Sequence, residues 1–405
     1  MSFPKVAIIG AGLGGLTLAR LLQQNNFPAT VYEAEASRNV RNQGGTLDLH
    51  PKAGQRALKE AGLLEDFKKY ARPEGEAMKL IKYDGTVLWD ENEMGNSRPE
   101  EFADRPEIDR VRLREILLDS IQPRSIQWDR KLVRIEADPR AKGKFNLHFT
   151  DSVETGFDLV VGADGAWSKV RPLVTDAKPF YSGITAIELW ALDVEKQNPW
   201  LSKYVGNGNC FMFDEGRALL CQRNGNDSIR AYASVRQPQN WSKDCGIDWS
   251  SPSSAREALV QQYFGDCGED VKRIMLESCD ELIPRELWMM PVGHTWKAVP
   301  GVTLIGDAAH LMTPFAGVGV NLAMADALQL AKALIDRKDS FVAKAFSDSH
   351  NIAAAIKHYE TAMFERGKEY AEKTRDNMEK HFSANGAEER AGQFRKNHEM
   401  QKAKH

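Results

Sequence analysis

Cysteine is scarce in this chain of 405 residues, and it is badly spaced for chemistry. Cys210, Cys221, Cys245, Cys267 and Cys279 lie 11, 24, 22 and 12 residues apart, so no C-x-x-C zinc or redox pair exists. An odd, sparse set suits a reducing compartment and excludes a disulfide-stapled fold. Charge of one sign is also missing: Lys plus Arg (54) against Asp plus Glu (57) leaves a net −3. No single-sign field holds a nucleic acid or an anionic membrane. Long apolar runs are absent too. The one candidate, Val6 to Leu22, is interrupted by Gly10, Gly12, Gly14 and Gly15 and carries Arg20, so neither a membrane span nor a cleavable signal is expected. The nine histidines show no metal-ligand pairing with acids at helical spacing. No G-x-S-x-G elbow of an α/β-hydrolase occurs. These absences predict a cytoplasmic protein with no metal, no nucleic acid and no membrane partner.

What remains is an ordinary globular composition, 42% hydrophobic and 27% charged, long enough for two or three domains at roughly 150 residues each. The chain opens with a β-branched run, Lys5 to Ile9, then a glycine-rich turn and the helical pattern Leu16, Ala19, Leu22. A strand from Ala29 to Tyr32 ends at Glu33, which completes the start of a βαβ unit. A helix over Lys52 to Ala61, a hairpin around Asp84-Gly85 and a helix from Arg110 to Ser120 follow. Strands are expected near 126–135, 145–149 and 158–162. From Tyr181 to Pro291 the character changes to strand runs separated by Asn/Gly turns, with one helical stretch after Ser253. Val302 to Ile305 resumes the first style, a long helical region covers 318–380, and the tail beyond Phe382 is polar.

Three motifs carry chemistry. Gly10-x-Gly12-x-x-Gly15 sits between strand and helix, with Glu33 placed 21 residues past the middle glycine. The glycines allow the turn and the approach of a pyrophosphate to the helix N-terminus, while Glu33 can accept hydrogen bonds from a ribose. The segment Asp158-Leu-Val-Val-Gly-Ala-Asp164-Gly165-Ala-Trp-Ser168-Lys-Val-Arg171 runs a buried strand into an Asp-Gly turn and a Ser-capped helix. Gly306-Asp307-Ala308-Ala309-His310, then Pro314 and Gly317-Val318-Gly319-Val320-Asn321, leads into a helix carrying Asp326. Asp307 can bind polyol hydroxyls, and the glycines let a helix N-terminus abut a flat ring whose negative charge the dipole favours.

In order and separation these segments resemble the fingerprint of single-component, FAD-dependent aromatic hydroxylases of the p-hydroxybenzoate hydroxylase type. Gly44 to His50, Trp128 to Val133 and Gly306 to Asn321 look most like the tetracycline-inactivating flavin monooxygenases. The resemblance implies an α/β fold: a Rossmann-like FAD-binding domain with an inserted mixed β-sheet substrate domain and a C-terminal helix. It divides the chain into FAD-binding parts at 1–72, 106–176 and 293–340, a substrate-domain hairpin at 73–105, a substrate domain at 177–292, and a C-terminal helix and tail at 341–405. It implies non-covalent FAD held through Gly10, Gly12, Leu13, Gly15, Glu33, Gly45, Asp48, Arg110, Asp164, Asp307, Pro314, Gly317, Gly319, Val320 and Asn321. Glu33 takes the adenosine ribose, Asp307 the ribityl chain, and Asp164 and Gly165 lie near the pyrophosphate. No catalytic side chain is implied; the backbone of Gly317, Val318, Gly319, Val320 and Asn321 supports flavin chemistry. NADPH serves as a transient electron donor, O2 adds to the reduced flavin as a C4a-hydroperoxide, and an aromatic small molecule is hydroxylated by a monomer.

Plainer readings stand beside these. Trp190, Phe211, Met212 and Phe213 line a planar pocket or simply fill a core. Arg217 and Arg223 orient an acidic substrate or are solvated strand ends. Arg105, Arg112 and Arg114, mixed with Asp104, Glu107, Asp109 and Glu115, read as a solvated helix face. His310 reads as a structural hydrogen-bonding residue. A flavin-dependent epoxidase or halogenase, or a flavin sensor without turnover, shares the same cofactor motifs.

Overall fold

The computed structural model describes residues 3–40, 44–94, 105–278, 282–343 and 348–402, so Cys279 and Asp104 lie outside the described residues. Val6–Ile9 is buried throughout, as a strand covered on both faces must be. It pairs in parallel with Leu159–Gly162 on one side and Thr30–Tyr32 on the other. Val302–Leu304 and Ile126–Gln127 complete a five-stranded sheet. Because its strands are parallel, their carboxyl ends lie along one edge. That edge carries Gly10, Glu33, Ala163-Asp164 and Gly306-Asp307, the motif residues. Helix Leu13–Gln24 packs on helix Gly319–Ile335. A three-stranded antiparallel sheet of Leu132–Ala137, Phe145–Phe149 and Val153–Phe157 brings Phe149 onto Tyr32, ring centroids 5.0 Å apart.

The second large element is a seven-stranded sheet in the order 283–289, 180–191, 229–236, 217–223, 209–214, 78–81, 87–90. The hairpin Met78–Ile81 and Val87–Asp90 joins it from earlier in the chain through a parallel pairing with Asn209–Asp214. Its entry and exit strands are neighbours, with Phe180 opposite Met289. Alternation puts Met212, Leu219, Ala231 and Ala233 on one face, at most 3% exposed.

Several expected elements differ. Among the described residues five helices, not one, lie between 194 and 276. Pro252–Tyr263 is the stretch expected after Ser253, and the other four have only four to eight residues each, too short for a helical period to stand out. Likewise the stretch 318–380 is divided into Gly319–Ile335, Lys338–Ala343 and Asp348–His381. The Ser168 hydroxyl does accept from Val170 and Arg171 N–H (3.1 and 3.0 Å), but it introduces only a 3-10 turn, Arg171–Leu173. The tail forms a helix, Gly386–Lys402, docked through Ala387, Ala391 and Phe394 beside Trp89.

Candidate cofactor and substrate site

The glycine loop separates two tasks. A Cβ at Gly15 would sit 2.1 Å from Gly10 O, and one at Gly10, where φ is +109°, would sit 2.4 Å from Ala163 O. Those glycines let backbone pack on backbone. A Cβ at Gly12 meets nothing within 4 Å, and the helix that starts at Leu13 has no side-chain cap and no acid in its first turn. Its N–H donors therefore face open space suited to an anion. Glu33 lies at the end of the second strand, where Oε2 accepts from Ala11 N–H at 2.6 Å and Oε1 from Glu35 N–H at 3.0 Å. Asp164 adjoins Gly10. Its Oδ2 accepts from Lys169 N–H at 2.6 Å, Oδ1 is buried without a partner, and burial pushes its pKa up.

Arg114 overturns the expectation of a solvated helix face. Its side chain is 5% exposed and pairs with Glu35, 7% exposed, at 2.8 Å. It also donates to Ala11 O at 3.3 Å and Arg38 O at 3.0 Å, so it anchors the glycine loop. Helix pattern alone does not say which of several arginines turns inward.

At the third motif the Asp307 side chain is exposed on the strand-end edge, and the turn beneath it is fixed by two buried groups. Asp326, fully buried, accepts from Gly306 N–H at 2.9 Å, meets His310 Nε2 at 2.6 Å and accepts from Arg366 at 2.7 Å. Burial opposes charge on both partners of the His310–Asp326 pair, yet their mutual attraction wins: the His310 pKa is raised and that of Asp326 lowered. Arg171 donates to Ala308 O at 2.7 Å and Asp307 O at 2.9 Å, tying the second motif to the third.

Gly317 adopts φ +63° and Gly319, which opens the long helix, has an unobstructed Cβ direction. Asn321 spends its side chain inside the protein: Oδ1 accepts from His50 N–H (2.8 Å) and Gly54 N–H (3.2 Å), and Nδ2 donates to Asp48 O (2.8 Å). Its amide thus clamps the Asp48 segment against the loop. The Asp48 carboxylate meets His50 at 3.0 Å and lies 3.6 Å from a Cβ built at Gly317. Arg110 donates its N–H to Gly45 O at 3.0 Å. Burial lowers the pKa of its guanidinium and Asp307 opposes the shift, so residues far apart in sequence share one region. Pro314 begins a 3-10 turn and is exposed; Leu13 is buried and Val320 partly so.

The other wall is one face of the seven-stranded sheet, covered by the C-terminal helices at Phe213 and Ala218 and partly exposed beyond them. Register places Trp190 beside Arg230 and Gln222, then Glu188 beside Tyr232, Leu220 and Phe211, then Ala186 beside Ser234, Ala218 and Phe213. Phe211, Leu220, Tyr232 and Leu287 remain partly exposed there. At one end Arg230 lies 4.5 Å over Trp190 and 5.2 Å from the Tyr232 ring. Glu188, 3% exposed in its side chain, pairs with both Arg230 and Arg285. Gly44 and Gly45 abut this end, since a Cβ would meet Trp190 at 2.2 Å and Arg230 at 2.8 Å respectively. Met212 faces the opposite side and Phe213 is buried. Arg217 bonds Asp214 and Asp266, and Arg223 bonds Asp227, Glu195 and Ser202, all at strand ends. Sequence reasoning missed Glu188, Arg230 and Tyr232, whose shared face is set by cross-strand register.

The FAD binding domain family matches residues 4–339. Monooxygenase asqM of Emericella nidulans is 33% identical, over 94% of this chain and 96% of asqM. HpxO of Klebsiella pneumoniae, solved with FAD and uric acid, superposes with a TM-score of 0.72 at 23% identity, over 94% of this chain and 89% of HpxO. Tetracycline destructase Tet(51) superposes at 0.67 with 20% identity, over 97% and 95%. The clear space over Gly12, the uncapped N-terminus at Leu13 and the Glu33 and Asp307 carboxylates at the strand ends fit the dinucleotide that such a match requires, and the likeness to HpxO and Tet(51) covers at least 94% of this chain. The chain belongs to the FAD binding domain family and is an FAD-dependent monooxygenase of the class A flavin type.

Proposed function

We propose that this enzyme uses NADPH and O2 to hydroxylate an aromatic or polycyclic small molecule: a polyketide, a tetracycline-like compound or an alkaloid. The observation that carries the reading is the sheet face on which Phe211, Leu220, Tyr232 and Leu287 stay partly exposed while the reverse face is sealed. A wall of that kind takes a planar apolar ring, and Arg230, Trp190 and Tyr232 at its end offer polar and stacking contacts. The uric acid held by HpxO is a flat ring of the same broad shape. FAD held by these residues would supply the redox chemistry, passing two electrons from NADPH to O2 so that one oxygen atom goes to an electron-rich carbon and the other leaves as water.

The chain's own residues bind and orient. Glu33 and the open side of Gly12 take the adenosine ribose and pyrophosphate, and Asp307 takes the ribityl chain. Backbone N–H groups between Gly317 and Asn321 begin a helix of 17 residues, so the positive end of its dipole faces the site where the flavin ring needs negative charge stabilised. Buried Phe213 and Phe315 exclude water at the far end. NADPH, lacking a second glycine-rich fingerprint, docks transiently across the groove.

An NADPH-consumption screen of the yellow holoprotein against phenols, aromatic polyketides and tetracyclines tests this reading, with uncoupled peroxide release subtracted. A true substrate stimulates consumption and yields a product heavier by one oxygen atom. A chlorinated product would favour the halogenase reading. No stimulation by any compound would point to a sensor.

A further inference from the structure

Helix Asp348–His381 turns Thr374, Asn377 and His381, spaced three and four residues apart, toward the segment that leads into the flavin loop. Thr374 Oγ1 reaches Met312 Sδ at 3.6 Å, and Asn377 Nδ2 donates to Phe315 O at 3.0 Å. The His381 ring lies flat on Phe213, with centroids 3.9 Å and planes 5° apart, and edge-on to Phe315 at 5.8 Å. Phe213 belongs to the sheet face that carries Phe211, Leu220 and Tyr232, and Phe315 precedes Gly317 by two residues. His381 therefore stands where the substrate wall meets the flavin loop.

Packing alone would be served better by phenylalanine. His381 is 7% exposed, and its Nδ1 is buried with no hydrogen-bond partner. Ser234 Oγ, on the same sheet face, is buried and unpaired as well. Cross-strand register puts Ser234 beside Ala218 and Ala218 beside Phe213, so only a methyl-sized side chain separates them in that row. Two orphan polar groups on one sheet face leave hydrogen-bonding capacity there that a bound molecule can satisfy. Burial, with Arg390 and Lys380 nearby, pushes the imidazole down to about 3. A neutral imidazole has one donor and one acceptor, a match for a hydroxyl group and a poor one for a carboxylate.

We infer that His381 is a positioning residue that hydrogen-bonds a hydroxyl group on the aromatic substrate, an inference that rests on the substrate wall proposed above. The test uses 2-naphthol and naphthalene, flat probes differing by one hydroxyl, titrated into the FAD-loaded enzyme and read by perturbation of the flavin spectrum. The wild type should bind 2-naphthol at least about tenfold more tightly. His381→Phe, which keeps the ring stack, should abolish that preference while leaving naphthalene affinity and flavin content unchanged. Equal affinity for the two probes in the wild type, or a preference that survives in the variant, overturns the inference. Nitrogen-15 NMR of the histidine rings in the unsubstituted holoenzyme gives a reading independent of the variant's folding. The His381 Nδ1 resonance should move with 2-naphthol and not with naphthalene; a stationary resonance counts against the contact. A naphthol preference that depends on His381, together with no substrate-stimulated NADPH oxidation, would sustain the contact and remove the proposed turnover.

Discussion

A methyl group added at position 12 and one added at position 15 should have opposite signatures. Gly12→Ala meets open space, so the protein should fold with an unchanged melting temperature and lose flavin affinity, because the added carbon occupies the approach to the helix N-terminus. Gly15→Ala drives a carbon into Gly10 O and should cost about 3 kcal/mol of stability. Flavin content and thermal unfolding of the two variants separate the cases; equal melting temperatures would contradict this division of labour. Asp307→Ala should also purify without flavin, since its exposed carboxylate has no packing to lose. Retained yellow colour would remove Asp307 from the ribityl contact. Arg114→Ala takes the guanidinium away from the buried Glu35 carboxylate, which should destabilise by about 3 kcal/mol in urea unfolding, with part restored by adding Glu35→Gln.

At the scale of the elements, the helix that ends at His381 carries a pH dependence. Its imidazole sits at about 3 in the folded chain against 6.5 when unfolded. Between those values the unfolded chain takes up a proton that the folded chain refuses. Stability therefore falls as pH drops through that window, by up to about 1.4 kcal/mol per pH unit. Urea midpoints at pH 7 and pH 5 should converge in His381→Phe relative to wild type; parallel slopes would mean that another group titrates. The last helix is held by packing more than by charge. Removing Lys82, which pairs with half-exposed Glu388 at 2.8 Å, should change stability by less than about 1 kcal/mol. Phe394→Ala, which strips the ring lying 5.8 Å from Trp89, should cost about 2 kcal/mol.

These elements also mark how far the sequence can be read. The parallel core is legible because Val6–Ile9, Leu159–Gly162 and Val302–Leu304 are short apolar runs ending in glycine-rich or Asp-Gly turns, a local signal. Glu33, Asp164 and Asp307 follow from it, since each motif stands at a strand end. Arg114, Arg171 and Asp326 do not, because their partners lie 79, 137 and 20 residues away. The same holds for Arg230 and Glu188, which are 42 residues apart and meet only through strand register. What depends on spacing within one turn can be read; what depends on which side of a sheet faces inward cannot.

For the whole molecule, the parallel sheet closes only when the chain returns from residue 162 to residue 302. A fragment of residues 1–176 lacks the edge strand Val302–Leu304 and the helix Gly319–Ile335 that packs on Leu13–Gln24. It should be degraded rapidly by protease and retain no flavin; a stable yellow fragment would show that the cofactor groove needs no later segment. Between those two residues the chain supplies five of the seven strands of the second sheet, entering and leaving side by side with Phe180 opposite Met289, while Met78–Ile81 and Val87–Asp90 reach the sheet by an earlier crossing. An excursion whose ends already touch places little tension on its host. The five strands and the helices between those neighbouring ends can therefore lengthen or be exchanged with little strain on the parallel core, and on the function proposed above that would let the choice of what is oxidised change apart from the means of oxidising it.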